Sequence, residues 1–342
     1  MNYLGTYTKS PFDSHVWFDS CTNSVWRHLI DRNSINTKEC LLNLLDNATP
    51  WFAQIDNFKR KNLASSKLKR IFYNFFNVNK NPSEIVDLNY IFKFLSNNTV
   101  YYEKLNLPST IPPSDVHRMQ HSPYWCGDFY TSDLVLDLLN FSNIPLFPNQ
   151  SILDLGCSSG SLLRILNWFY PEICWKGCDP VETSITWATN NLDDIEFFKS
   201  EQEPPIQMVD SSFDGIISIS VWSHHNKQAS KLWFKEVHRL LKKGGWFLFT
   251  THGLHSLVHN IRNLDKGKER WISIYEGLLQ SDFVFEQVWM EEDESGNLAD
   301  NWGNSYVKPE WIFSELMQDF ELISFKRGLN QQNQDVYLFK KK

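Results

Sequence analysis

Ser151-Ile-Leu-Asp-Leu-Gly-Cys-Ser-Ser-Gly160 is a short apolar strand that runs into a tight turn of small residues, and Ser161–Tyr170 continues it as a helix. Gly156 and Gly160 carry no Cβ, so another group can approach the backbone of the turn closely. The start of a helix leaves N–H groups without intrahelical partners, and these favour an anion. The stretch therefore points to a nucleotide-like ligand.

Downstream the strand-then-helix pattern repeats. Cys174–Asp179 reads as a strand followed by the helix Glu182–Asn191, and Ile195–Lys199 as a short strand. Phe213–Ser220 reads as a long apolar strand followed by the helix Gln228–Leu241, then a turn at Lys243-Gly244-Gly245 and a strand at Trp246–Thr251. Strands separated by helices of this length imply a parallel sheet with crossovers, hence an α/β fold. Residues 252–307 read as irregular and Pro309–Asp319 as a helix. Glu321–Lys326 and Val336–Lys340 read as two last strands pairing antiparallel at one edge.

Upstream, residues 1–110 read as mainly helical and carry no chemical motif. Leu41, Leu42, Leu44 and Leu45 cluster within Thr37–Asn47, and Pro50 is placed to start a helix. Ser83 is placed to cap another, whose apolar set is Ile85, Leu88, Ile91, Phe92 and Leu95. Leu107-Pro108 to Pro112-Pro113 is a turn-rich break. The expected domains are therefore an N-terminal helical extension over 1–113 and a second domain over 114–342, with 252–307 as an insertion.

A chain of 342 residues holds one large domain or two modest ones, and 42% hydrophobic residues supply a core. The net charge of −7 shows no nucleic-acid footprint. The basic run Lys59, Arg60, Lys61, Lys67, Lys69 and Arg70 reads as the solvated face of a helix. No run of 18 apolar residues marks a membrane span, and the first residues lack the pattern of a signal peptide, so a cytoplasmic protein is expected. The six cysteines, Cys21, Cys40, Cys126, Cys157, Cys174 and Cys178, form no Cys-x-x-Cys and read as buried thiols rather than disulfides. Cys174 and Cys178 are expected to share a strand face in the core.

In an open α/β sheet, ligands sit beyond the carboxyl ends of the strands. Asp179 ends the second strand of the repeat, where an acid can accept hydrogen bonds from both hydroxyls of a ribose. A helix cap before Pro180 is the alternative role for it. The turn Gly156-Cys-Ser-Ser-Gly160 is not a Gly-x-Gly-x-x-Gly fingerprint, yet the glycines alone do not separate NAD from other adenosine cofactors.

Asp154-Leu-Gly-Cys-Ser-Ser-Gly160 resembles motif I of class I S-adenosylmethionine-dependent methyltransferases, with Ser158 where that motif often has Gly. Ser212-Phe-Asp-Gly-Ile-Ile217 resembles the family's fourth strand, and Glu236-Val-His-Arg-Leu-Leu-Lys-Lys-Gly-Gly245 with the following Trp246-Phe-Leu-Phe249 resembles its helix, turn and fifth strand. Glu203-Pro-Pro, Ser220-Val-Trp-Ser-His224, Thr250-Thr-His-Gly253 and Gln334-Asp-Val-Tyr-Leu338 resemble a bacterial branch associated with glycan and secondary-metabolite biosynthesis. The resemblance covers about residues 115–342. It implies a Rossmann-like, seven-stranded, mostly parallel sheet with helices on both faces, behind the N-terminal helical extension.

It also implies S-adenosyl-L-methionine as cofactor and S-adenosyl-L-homocysteine as product. The cofactor-binding residues expected on that basis are Asp154, Gly156, Cys157, Ser158, Gly160, Asp179, Pro180, Gln202 and Ser220. The N–H groups of 156–160 suit the carboxylate end, Asp154 the amine or the orientation of the loop, Asp179 the ribose, and Pro180 and Val181 the adenine face. Gln202 or Glu201 suits the adenine amino group. Trp222, Trp125, Phe129 and Tyr130 are candidates to cover the cation, each with plain packing as its alternative.

A hydroxyl acceptor needs a base. His224 follows the fourth strand and His252 the fifth, so both are expected at the carboxyl rim. His224 is the expected base; His252 is the second choice, or a substrate contact. Six of the ten histidines lie between 224 and 259, and His255 and His259 are four apart, which raises a metal-assisted variant; no carboxylate nearby in sequence completes a ligand set, and no metal is expected. Trp271, Trp289 and Trp302 and the acidic run Glu291, Glu292, Asp293, Glu294 place the insertion as a lid or an acceptor wall. The expected function is O-methylation of a small-molecule or glycan acceptor. The alternatives are N-methylation of a small amine or peptide, an NAD-dependent oxidoreductase, and a catalytically silent cofactor-binding scaffold. The expected partners exclude nucleic acid and membrane; the N-terminal helices are expected either to cover the cofactor or to make a homodimer contact.

Overall fold

The computed structural model describes residues 110, 112–113, 115–116, 128–263, 268–287, 301–330 and 333–342. The helices expected over 1–110, the basic run, most of the break near 107–113, Trp125, Trp289 and the acidic run at 291–294 lie outside the described residues. The chain divides into two compact units, and Asp128–Asn140 and residues 142–342 fall in different ones. The helix α1 (Asp128–Phe141) thus belongs almost wholly to the first unit. No helix among the described residues is long and apolar enough to cross a membrane.

In the second unit, β1 (Ser151–Leu155) leads to α2 (Ser161–Phe169), β2 (Cys174–Asp179), α3 (Glu182–Asn191) and β3 (Glu196–Lys199). Then come β4 (Phe213–Ser218), α4 (Lys227–Leu240) and β5 (Leu241–His252). β1 pairs in parallel with β2 and β4, β2 with β3, and β4 with β5. The order β3-β2-β1-β4-β5 reverses direction between β1 and β4. Right-handed crossovers then put α2 and α3 on one face of the sheet and α4 on the other. That reversal opens a crevice beyond the carboxyl ends of β1 and β4.

Residues 252–307, expected to be irregular, instead hold two helices, α5 (Leu254–Asn263) and α6 (Lys268–Gln280), and two strands, β6 (Phe283–Glu286) and β7 (Asn304–Val307). β6 and β7 pair antiparallel, and β7 joins the sheet where Tyr306 meets His252, the last residue of β5. Trp271, Ile274, Leu278 and Tyr306 bury together with Leu257 and give this insertion its own small core. α7 (Pro309–Leu316) begins with Pro, as a first turn allows. β8 (Phe320–Asn330) and β9 (Gln334–Lys341) pair antiparallel as expected, but β9 also pairs with β5, so it is an interior strand with β8 beyond it. Among the described residues the sheet therefore has nine strands: the seven expected, in the order β3-β2-β1-β4-β5-β9-β8, plus β6 and β7.

Two further expectations change. Lys243-Gly244-Gly245 lies inside β5 as an irregularity, Phe213 pairing with Leu241 and Gly215 with Trp246. Gly244 takes φ +77° there, a backbone region that glycine enters without penalty. Cys174 is exposed at the start of β2, while Cys178 is fully buried, so of the two only Cys178 contributes to the core. The main core lies between α4, α7 and the strands β4, β5 and β9. It is aromatic: Phe247 stacks on Phe249 at 4.6 Å, and Phe249 on Tyr337 at 5.0 Å across the β5–β9 pair.

Candidate functional site

The turn after β1 is stapled to the end of β2. The N–H groups of Gly156 and Cys157 both donate to the Cys178 carbonyl, at 2.9 and 3.0 Å, and Gly160 N–H donates to the Cys157 carbonyl at 2.9 Å. Ser158 N–H donates to Oδ2 of Asp179 at 2.8 Å, and Val181 N–H to Oδ1 at 2.9 Å. Four of the five N–H groups from 156 to 160 thus already have partners inside the chain, which corrects the expectation of a row of donors waiting for an anion. Their work is to set the shape of the turn, with Gly156, Ser158 and Gly160 all at positive φ. The glycines are needed for packing as well: a Cβ on Gly156 would lie 2.4 Å from a Val221 methyl carbon, and one on Gly160 would meet Phe197 and Leu192. The same contact brings the loops after β1 and β4 together.

Asp179 is no helix cap. Val181 is the N-cap of α3, and the Asp179 carboxylate instead bridges the turn to the first residues after Pro180. A carboxylate has about four lone-pair sites, so two backbone donors leave acceptor capacity for hydroxyls. Pro180 and Val181 are half-buried beside it; Gln202 is half-buried and Glu201 exposed.

Asp154, on β1, is 3% exposed. Burial, followed by the nearby Asp179, pushes its carboxyl up to about 8 from an ordinary 3.8. Among the described residues nothing donates a hydrogen bond to it. A buried acid in that state accommodates a cationic group, which would return it to the carboxylate form. Burial also pushes the Cys157 and Cys178 thiols well above their ordinary value, so both stay protonated and unreactive. The sign of the linkage follows. Folded Asp154 holds a proton that the unfolded chain releases from about pH 4 upward, so its contribution to stability is full below that pH and is lost as pH rises towards 8. Asp335, pushed up to about 7 by burial, acts in the same direction. The expected result is a ligand-free melting temperature that falls between about pH 5 and 8. Asp154→Asn should raise it at the alkaline end by ~5 °C. An unchanged slope in Asp154→Asn, followed by calorimetric melting, would contradict the burial argument.

On the other side of the crevice, His224 follows β4 and His252 ends β5, with ring centroids 6.3 Å apart. His224 Nδ1 lies 2.8 Å from the Gly303 carbonyl oxygen. A carbonyl only accepts, so Nδ1 carries the proton and the Nε2 lone pair is the basic one. The ring stacks on Trp302 at 4.9 Å. His252 stacks on Tyr306 at 5.3 Å, and its Nε2 stands 3.5 Å from Gln334 Nε2. Burial, then the neighbouring His224, lowers its ring to about 3. His252 is therefore a neutral polar group near pH 7, poorly matched to act as the base.

Residues 152–245 match a methyltransferase domain family.

The matched span of the methyltransferase domain includes the turn, Asp179, Gln202, Ser220 and His224, and ends before His252. Over 121 residues the chain is 34% identical to the biotin biosynthesis bifunctional protein of Teredinibacter turnerae, covering 32% of this chain and 20% of that one. The chain thus spans about a fifth of the length of the curated relative it matches. Among solved structures it is similar to a protein of Pyrococcus horikoshii (17% identity, 71% of this chain and 99% of that one, TM-score 0.45). It is also similar to an S-adenosylmethionine-dependent methyltransferase of Methanosarcina mazei (20% identity, 57% and 94%, TM-score 0.42).

The remaining expected residues fall in different places. Ser220 is at the rim, at φ +63°, with its N–H on Thr250 Oγ1 at 2.8 Å and its hydroxyl on Gln334 Oε1 at 2.9 Å. Trp222 is 1% exposed and packs on Phe234, Phe247 and Phe249, so it is core rather than a cover for a cation. Trp271 is core as well. Phe129 and Tyr130 sit on α1, in the other unit. His255 lies against Gly328 of β8, and among the described residues no three His, Cys, Asp or Glu side chains come together as metal ligands. Residues not picked as site residues are Thr250, Gln334 and Asn330, whose side chains converge, and the segment Asn301–Ser305. Gln334 Oε1 accepts from Ser220, Thr250 and Asn330 at 2.9, 2.7 and 2.9 Å. Gln334 was visible only as part of a motif resemblance.

Proposed function

We propose that the protein is an S-adenosylmethionine-dependent methyltransferase that methylates a hydroxyl group of a glycan or secondary metabolite, with His224 as the base. One arrangement carries the reading. A buried acid pair, Asp154 and Asp179, lies at the ends of β1 and β2, on the same rim as an imidazole whose Nδ1–H is tied to a carbonyl. When bound, S-adenosylmethionine supplies an electrophilic methyl group on a positively charged sulfur. Asp179 accepts from ribose hydroxyls while holding the turn. Asp154 ionises beside the amine. Gln202, half-buried on the loop after β3, accepts from the adenine amino group. His224 Nε2 takes the acceptor's hydroxyl proton and passes it to solvent from the resulting imidazolium; Gly303 holds the opposite nitrogen in place throughout. His252, neutral, is left to contact the acceptor.

Isothermal calorimetry with S-adenosylhomocysteine, and with NAD as the contrast, tests this. S-adenosylhomocysteine should bind with a heat that depends on the ionisation enthalpy of the buffer near pH 7, because Asp154 gives up its proton to the medium when the amine arrives. NAD should not bind. Binding of NAD without binding of S-adenosylhomocysteine would replace the proposal with a dinucleotide enzyme.

A further inference from the structure

We propose that Asn301 is a positioning residue that joins the adenine side of the cofactor site to the base His224, so that cofactor occupancy is felt at the imidazole. The inference rests on the methyltransferase reading and goes beyond it, because it assigns a role to a residue outside the matched domain.

Asn301 makes contacts in two directions. Its side chain reaches the loop after β3: Nδ2 donates to Glu203 Oε1 at 2.8 Å, and Oδ1 accepts from Gln202 Nε2 at 3.3 Å. Its own carbonyl accepts from the N–H of Asn226 at 3.0 Å. Asn226 in turn caps α4 through Ala229 N–H at 2.8 Å. The residues that follow bind the His224 loop by every available means. Trp302 stacks on the His224 ring and pairs with His225 as an isolated bridge. Gly303 N–H donates to the His224 carbonyl at 2.8 Å, and the Gly303 carbonyl takes the ring Nδ1–H at 2.8 Å. Ser305 N–H donates to the Ser223 carbonyl at 2.8 Å, and the Ser305 hydroxyl donates to the His225 carbonyl.

Asn301-Trp302-Gly303 is therefore a three-residue strap. One end grips two consecutive side chains, the expected adenine reader Gln202 and its neighbour Glu203, and the other fixes the tautomer and plane of the base. A ligand whose amino group donates to Gln202 Oε1 fixes the plane of the Gln202 amide and with it the Nε2–H that Asn301 accepts, and the strap has no slack: its next two residues are already paired with His224. A strap that merely stapled the insertion to the sheet would need the backbone pairs at Gly303 and Ser305, but not the side-chain reach from Asn301 to Gln202 and Glu203.

The test uses the full chain labelled with 15N-histidine and S-adenosylhomocysteine as the probe. In the wild-type protein the ring nitrogens of His224 should shift on titration. Asn301→Ala should keep binding, with affinity lowered about threefold to tenfold for the lost hydrogen bonds, while the His224 shift drops to less than half. Asn301→Asp keeps the acceptor for Gln202 but sets a second carboxylate against Glu203, and it should give an intermediate response. This variant preserves side-chain volume, so it carries the test if Asn301→Ala does not fold. A full wild-type shift in either folded variant overturns the proposal. S-adenosylhomocysteine that binds the wild-type protein without moving His224 overturns it too, and leaves the methyltransferase reading standing. No binding at all overturns both.

Discussion

His224→Ala slows methyl transfer ~10²–10⁴-fold and leaves the affinity for S-adenosylhomocysteine within about threefold. The size of the loss follows from the role proposed for the imidazole: it would remove a proton that a hydroxyl does not shed near neutral pH, while the proposed cofactor site lies apart from it, at the ends of β1 and β2. The measurement is single-turnover transfer to any hydroxylated acceptor that the wild-type protein methylates, together with calorimetric binding. Two controls separate a base from a packing residue. The acid limb of the pH–rate profile should vanish in His224→Ala, because His252, lowered to about 3 by burial, does not titrate in its place above about pH 5. Trp302→Phe, which keeps a ring against His224, should retain most of the rate and the same acid limb. Normal turnover in His224→Ala would remove the base from this assignment and leave the cofactor site untouched.

The half of the site carried by the resembling motifs was legible because its chemistry is local. A strand, a small-residue turn and a helix start occupy consecutive residues, and the acid that reads the turn ends the next strand. Even there the turn carries a demand the sequence does not show. At Gly156 the position of a Cβ is occupied by Val221, and at Gly160 by Phe197 and Leu192. The turn's N–H groups are used to fold it. The other half is built from residues far apart in the chain: Gln334 meets Ser220 across 114 positions, and Gln202 meets Asn301 across 99. No periodicity reports such a pair. Ser220 is a further case, since a left-handed conformation at a non-glycine residue leaves no mark in the sequence and is sustained here by Thr250 and Gln334.

The insertion was misread for a different reason. Trp271, Ile274 and Leu278 are spaced three and four apart, the repeat of one helix face. Of the three, only Trp271 enters the lid expectation, because tryptophan beside an acidic run suggests ligand stacking. Their burial with Tyr306 shows the ordinary outcome, a helix that covers its apolar stripe. That packing matters for the site, because Tyr306 is the residue on which His252 stacks.

Asp179→Ala weakens S-adenosylhomocysteine binding at least ~100-fold, the largest loss expected of any single cofactor-site side chain. Two effects add. The Ser158 and Val181 N–H groups lose the carboxylate that receives them at 2.8 and 2.9 Å, and charge-assisted hydrogen bonds of this kind contribute about 1.5–3 kcal/mol each. The ribose hydroxyls also lose their acceptor. A second ligand separates the two effects. An S-adenosylhomocysteine analogue lacking both ribose hydroxyls should bind the wild-type protein more weakly than the parent compound, yet bind Asp179→Ala no more weakly than the parent does, because the partner of those hydroxyls is already gone. If the analogue loses the same factor in both proteins, Asp179 serves only to hold the turn, and the hydroxyls are read by another residue. Asn at 179 is not a neutral control. Its Nδ2 would face the N–H of Ser158 or Val181, donor against donor, so Asp179→Asn should resemble the alanine variant rather than the wild type.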